Sequence, residues 1–420
     1  MEIIQEYGTL LVLVTAVFGF FMAFGVGAND VSNAMGTSVG SGTITAKQAI
    51  FIAMIFESAG AYLAGGEVTE TIKSGVINPM EFVANPEILA LGMMAALFSS
   101  GLWLLIASKM GWPVSTTHTI IGAIVGFACV TVGKQAVDWS EIRNIVGSWF
   151  ITPVIAGIVA YGIFFSTQKL IFDTEKPLEN AQKFGPYYMG CTILILSLVT
   201  MTKGLKHVGL HLTGFETAII STILAGISVV ASYFYFRSEK FAQTIRSGTF
   251  GGVEKIFSIL MLLTACAMAF AHGSNDVANA IGPLSAVVSI VDNGGEIMAR
   301  SPLAWWILPL GAAGIALGLI VMGYKVMATI GTGITDLTPS RGFAAQFATA
   351  ITVVLASGTG LPISTTQTLV GAILGIGFAR GIAALNLSVI RNIVASWIIT
   401  LPVGAFLAVI IFYILKAIFT

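Results

Sequence analysis

The chain has 420 residues, of which 56% are hydrophobic and only 10% charged, with a formal net charge of zero and a mean hydropathy of +0.92. Soluble chains carry about 25% charged residues, so these values exclude a water-soluble globule and point to a membrane protein. The neutral charge speaks against nucleic acid as a partner.

A span needs about 20 apolar residues to cross roughly 30 Å of hydrocarbon. In chain order, such segments are expected at 8–28, 46–66, 87–107, 113–131 and 143–166, then at 187–202 and 214–236. Five more follow at 254–272, 303–324, 342–357, 361–379 and 389–417. The first follows Glu2 and Glu6 without a basic leader or cleavage motif, so a retained helix is expected. The expected fold is an all-α polytopic membrane protein of about 12 transmembrane segments. Cys129, Cys191 and Cys266 lie apart in apolar segments and read as small buried hydrophobes rather than a disulfide or metal site.

The two halves repeat each other. "GANDVSNAMG" (27–36) returns as "GSNDVANAIG" (273–282), identical at 7 of 10 positions and 246 residues downstream. "PVSTTHTIIGAIVG" (113–126) returns as "PISTTQTLVGAILG" (362–375) with 9 of 14 identities at an offset of 249. "IRNIVGSW" (142–149) returns as "IRNIVASW" (390–397). The expected organisation is a first repeat at 1–166, two linking segments with charged loops at 167–253, and a second repeat at 254–420. If every segment crosses, seven lie between equivalent points. The second copy is then inverted, as in many secondary transporters. A re-entrant STT segment would change that count. The basic loop 237–255 is expected inside and the acidic loop 66–87 outside.

Each N-D-x-x-N places an aspartate and two asparagines inside an apolar run, where an unpaired polar group costs several kcal/mol. The flanking glycines are expected to unwind the helix and free backbone carbonyls. Asn29, Asp30, Asn33, Asn275, Asp276 and Asn279 would then supply hard oxygen ligands. One carboxylate with neutral oxygens per site suits Na⁺ or a proton better than a tight divalent ion. The alternative is that these side chains only glue helices together.

In each STT motif a proline precedes a Ser-Thr-Thr cluster, the signature of a helix start. Ser115, Thr116, Thr117, Ser364, Thr365 and Thr366 would present hydroxyls, free amides and a positive helix end, an arrangement suited to an anion. Two such ends are expected to converge at the midplane, with a cation nearby to offset a buried dianion. The plainer reading is that these hydroxyls bond local helix carbonyls. Glu57 and Gln346 are further intramembrane polar candidates. Arg143 and Arg391 either snorkel at the interface or support an intramembrane carboxylate. The chain has no Ser/His/Asp constellation, HExxH or Walker A pattern, so no enzyme is expected, and no cofactor beyond bound coupling ions.

Through GANDVSNA, GSNDVANA and the duplicated P-[VI]-S-T-T, the sequence resembles the inorganic phosphate transporter (PiT) family over essentially its whole length. The resemblance implies inorganic phosphate as substrate, Na⁺ or H⁺ as driving ion, a homodimer, and a multi-pass location in the plasma membrane (the inner membrane in a bacterium). It implies functional roles for Asp30, Asp276 and Glu57. Many members carry Glu where this chain has Gln346. A sulfate permease and, more remotely, an anion channel stay open.

Overall fold

The computed structural model describes residues 2–201, 212–245, 249–298, 303–381 and 384–419. Among these residues there is no sheet, only one isolated bridge between Ile77 and Val137. The longer helices are α1 (Glu2–Gly40), α2 (Ala46–Ala64), α3 (Pro86–Met110), α4 (Thr116–Thr131), α5 (Trp139–Thr167) and α6 (Pro177–Val199). They continue with α7 (Gly214–Phe236), α8 (Thr249–Asp292), α9 (Ile307–Thr332), α10 (Pro339–Ser357), α11 (Thr365–Arg380) and α12 (Leu387–Phe419).

Every expected segment overlaps a helix, residue 202 of the segment 187–202 lying outside the described residues, but the helix lengths do not give twelve crossings. Among the described residues, seven helices are long and apolar enough to span a bilayer (α1, α3, α5, α7, α8, α9 and α12). Helix α2 and its continuation, bent by 71°, make an eighth if the pair is counted as one span. Helices α4 and α11 have 16 residues each, about 24 Å at 1.5 Å per residue, too short to cross. Each forms a hairpin with the helix before it.

The expected unwinding at N-D-x-x-N does not occur. Helix α1 runs for 39 residues and α8 for 44 without interruption through the motif. The glycines serve close approach instead. A Cβ at Gly27 would overlap the carbonyl of Ile315, and one at Gly273 would overlap that of Glu57. Small residues that let backbones touch are the usual device for helix packing in lipid, where apolar burial alone does not drive association.

Packing interleaves the two halves. Helix α1 lies on α9 and α2 on α8, while α4 packs on α12 and α5 on α11. The contacts come in matched pairs: Gly122 meets the Leu401 carbonyl where Gly371 meets that of Pro153, and Gly126 meets Ala405 where Gly375 meets Gly157. The Gly27–Ile315 and Gly273–Glu57 contacts make Ile315, 258 positions on, the counterpart of Glu57, whereas the motif offsets of 246 to 249 point to residues 303–306. The inter-helix spacing differs between the halves, so a fixed offset misplaces this residue.

Local signals start the helices where the site needs them. Ser115 Oγ accepts from the His118 amide and Ser364 Oγ from the Gln367 amide, both at 3.2 Å. The preceding turns hold Gly111 at φ +70° and Gly360 at φ +75°, a left-handed conformation that glycine adopts without strain.

Candidate functional site

The middles of α1 and α8 meet the starts of α4 and α11, and the repeated spacing of each motif is resolved into contacts between halves. Asn33 Nδ2 donates to Thr366 Oγ1 at 2.8 Å and to Thr365 Oγ1 at 3.3 Å. Asn279 Nδ2 donates to Thr116 Oγ1 at 3.1 Å and Thr117 Oγ1 at 3.4 Å. The hairpin starts also hold each other: Thr117 Oγ1 donates to the Ile363 carbonyl at 2.9 Å and Thr366 Oγ1 to that of Val114 at 3.2 Å.

The aspartates sit at the centre. Asp30 Oδ1 accepts from Asn33 Nδ2 at 3.2 Å and Thr366 Oγ1 at 3.4 Å. Asp276 Oδ2 accepts from Thr365 Oγ1 at 2.9 Å, and its Oδ1 accepts from Asn275 Nδ2 at 2.9 Å. Asp30, Asn33, Asp276, Asn279 and the four STT threonines are all at most 2% exposed. Within the two N-D-x-x-N motifs, three buried oxygens accept no hydrogen bond: Asp30 Oδ2, Asn33 Oδ1 and Asn279 Oδ1. Buried polar atoms are normally paired, so these are the atoms chemically suited to an oxygen-seeking cation.

Asn29 and Asn275 differ from Asn33 and Asn279, because both ends of each amide are engaged. Asn29 Nδ2 donates to the Trp112 carbonyl at 2.9 Å and Ser108 Oγ at 3.2 Å, while its Oδ1 accepts from the Val114 amide at 3.1 Å. Asn275 Nδ2 donates to the Ile363 carbonyl at 3.2 Å, and its Oδ1 accepts from Ser357 Oγ at 3.1 Å. These two asparagines hold the hairpin turns.

His272 is a central residue that sequence reasoning missed. It is fully buried, with Nε2 3.0 Å from Asp276 Oδ2 and 4.0 Å from Asp30 Oδ2, and Nδ1 3.3 Å from Glu57 Oε1. Its position directly before G-S-N-D in an apolar run was the available signal. Its counterpart in the first motif is Val26, just as Ile315 stands opposite Glu57, so the histidine–glutamate pair exists in one half only.

The serines of the motifs cap their helices, which leaves the Thr116, Thr117, Thr365 and Thr366 amides outside the helical ladder. Two helix starts therefore aim donors at a common region beside two carboxylates. Gln346 lies apart: its Oε1 accepts from Ser38 Oγ at 3.1 Å and its Nε2 donates to the Ala34 carbonyl, joining α10 to α1. Arg143 and Arg391 are exposed at the starts of α5 and α12. Arg143 Nε donates to its own helix at the Trp139 carbonyl, so the structure does not bring these arginines to the aspartates.

Two intramembrane carboxylates beside paired helix starts in a multi-pass helical protein define a transporter of small ions rather than an enzyme. The chain belongs to the phosphate transporter family, whose profile matches residues 26–408. It is 76% identical over 419 residues to a Haemophilus influenzae protein described as "Putative phosphate permease", covering all of both chains. It is 40% identical over 432 residues to the "Inorganic phosphate transporter 2-1, chloroplastic" of Arabidopsis thaliana, covering 96% of this chain and 71% of that one. Among solved structures, "The sodium-dependent phosphate transporter" superposes with a TM-score of 0.90 at 38% identity, covering 97% of this chain and 100% of the other.

Proposed function

We propose that the protein is a secondary active symporter that imports inorganic phosphate with sodium by alternating access, in the plasma membrane. The observation that carries this reading is the crossed linkage of Asn33 to Thr365 and Thr366, and of Asn279 to Thr116 and Thr117. In both asparagines the amide nitrogen holds the STT hydroxyls and the amide oxygen is free. Sodium taken up on that oxygen and the neighbouring aspartate polarises the amide and strengthens its hold on the hydroxyls. The threonine amides then meet a phosphate oxygen in a fixed arrangement.

The charges require the same pairing. A phosphate dianion beside Asp30 and Asp276 would stand among like charges in a low-dielectric interior, where pairing decides whether a buried charge is tolerable. Sodium at the two aspartates offsets that repulsion, so each substrate favours the other. The superposed transporter is described as sodium-dependent, which supports sodium as the driving ion here. Inverted repeats at 1–166 and 254–420, with 167–253 between them, supply the two-sided geometry for alternating access.

Proton coupling is the second reading, favoured by His272 lying between Asp276 and Glu57. Purified protein in proteoliposomes separates the two. Radiolabelled phosphate uptake should follow an inward Na⁺ gradient, fail with K⁺, and persist with excess sulfate outside. Uptake driven only by a pH gradient would assign the carboxylates to proton carriage, and competition by sulfate would change the substrate.

A further inference from the structure

Each hairpin turn is fastened by a threonine from the opposite half. Thr329 of α9 donates its hydroxyl to the Gly111 carbonyl at 2.9 Å. Thr71, in the π-helical turn Thr71–Gly75 beyond α2, donates to the Gly360 carbonyl at 2.8 Å. The two bonds correspond to one another. Thr71 and Thr329 have the same separation as Glu57 and Ile315, which occupy matching packing positions. Gly111 and Gly360 have the same separation as the STT motifs.

Both acceptors are left-handed glycines, so the turn itself fixes where the carbonyl points. Both bonds are partly buried, whereas the STT threonines directly behind the turns are at most 2% exposed. The fastenings therefore lie at the border of the closed site. Their supports differ: Thr329 rides on the continuous α9, while Thr71 rides on a segment bent by 71° from α2. Unequal supports allow one bond to open without the other.

We propose that Thr71–Gly360 and Thr329–Gly111 are the two gate latches of the transport cycle, each holding one hairpin closed and opening in alternation. This rests on the alternating-access reading above. Neither threonine touches the aspartates or the STT hydroxyls, so both are positioning residues. A single hydrogen bond has a small net worth, which suits a gate that must open on every cycle. With both latches formed, the site is shut on either hand, as the burial of its residues records.

Hydrogen exchange of the full chain in lipid nanodiscs tests the latches without any transported ion. Thr329→Val should speed amide exchange in the 111–117 turn about fivefold, the factor expected from losing one hydrogen bond, and leave 360–366 unchanged. Thr71→Val should do the reverse. Thr→Ser at each position keeps the hydroxyl and should restore slow exchange. A valine variant that fails to reach the membrane is replaced by Thr→Ala and judged by the same ratio of the two turns. A turn unaffected by loss of its own threonine, or both turns loosened equally by either variant, overturns the proposal. Reconstituted uptake provides a second readout, with turnover falling more than the phosphate KM rises. If the unaltered protein shows no sodium-driven uptake, the symport reading fails, while the exchange pattern still decides the latches.

Discussion

Asn33 Nδ2 donates to Thr366 Oγ1 at 2.8 Å, joining residues 333 positions apart and the two halves of the molecule. The mirror contact, from Asn279 Nδ2 to Thr117 Oγ1 at 3.4 Å, makes the relation reciprocal. A cation ligand and an anion donor are thus connected through one amide group.

Asp30→Asn and Asp276→Asn should each abolish sodium-driven phosphate uptake while the protein still inserts and purifies. Asparagine keeps the shape and hydrogen-bonding reach but removes the charge that offsets a cation. Flux assays on reconstituted protein, with a melting curve as control, check this. Full transport by the double variant would rule the aspartates out of coupling.

Thr366→Val removes the hydroxyl shared by Asn33, Asp30 and the Val114 carbonyl. A lost hydrogen bond to a charged partner is worth about 1.5–3 kcal/mol, so phosphate affinity should fall by roughly 10- to 150-fold. Thr117→Val should weaken it in the same direction through the matching site, where the hydroxyl is shared by Asn279 and the Ile363 carbonyl. Equilibrium phosphate binding measures both, and an unchanged Kd would remove these threonines from the anion site.

His272→Gln should raise the sodium concentration for half-maximal uptake. Groups that orient a metal-binding carboxylate typically contribute about 10- to 100-fold in affinity, and His272 lies 3.0 Å from Asp276. Glu57→Gln, which alters the other face of the imidazole, should move the same parameter. Sodium titrations of uptake at fixed phosphate provide the test, and wild-type sodium dependence in both variants would contradict it.

Gly27→Ala and Gly273→Ala should destabilise the protein without touching either ligand group. The added Cβ overlaps a facing carbonyl in each case, and overpacking costs about 1–3 kcal/mol. Thermal unfolding in detergent should show a lower Tm for both, with Gly147→Ala, where nothing lies within 4 Å, unchanged. Equal Tm values across the set would show that these close approaches do not limit stability.

Much of this arrangement is legible from the chain. Segment positions follow from apolar run length, and the serine caps of α4 and α11 follow from Pro-x-Ser-Thr-Thr. The glycines of N-D-x-x-N were ambiguous, because the same residue permits an unwound backbone and a close helix approach. Only the facing carbonyls of Ile315 and Glu57 distinguish the two. His272 was missed because its partner Glu57 lies 215 residues away and its repeat counterpart is an apolar valine, although the i,i+4 spacing to Asp276 was visible. The division between Asn33 and Asn29 was likewise hidden, since it depends on which amide oxygen a distant turn engages.

The most direct measurement is phosphate binding to the purified protein by calorimetry at several sodium concentrations. Coupling between two sites is reciprocal, so phosphate affinity should rise with sodium, sodium affinity should rise with phosphate by the same factor, and Asp276→Asn should flatten both. A phosphate Kd independent of sodium in the unaltered protein would contradict the account, because the crossed asparagine–threonine links would then connect nothing.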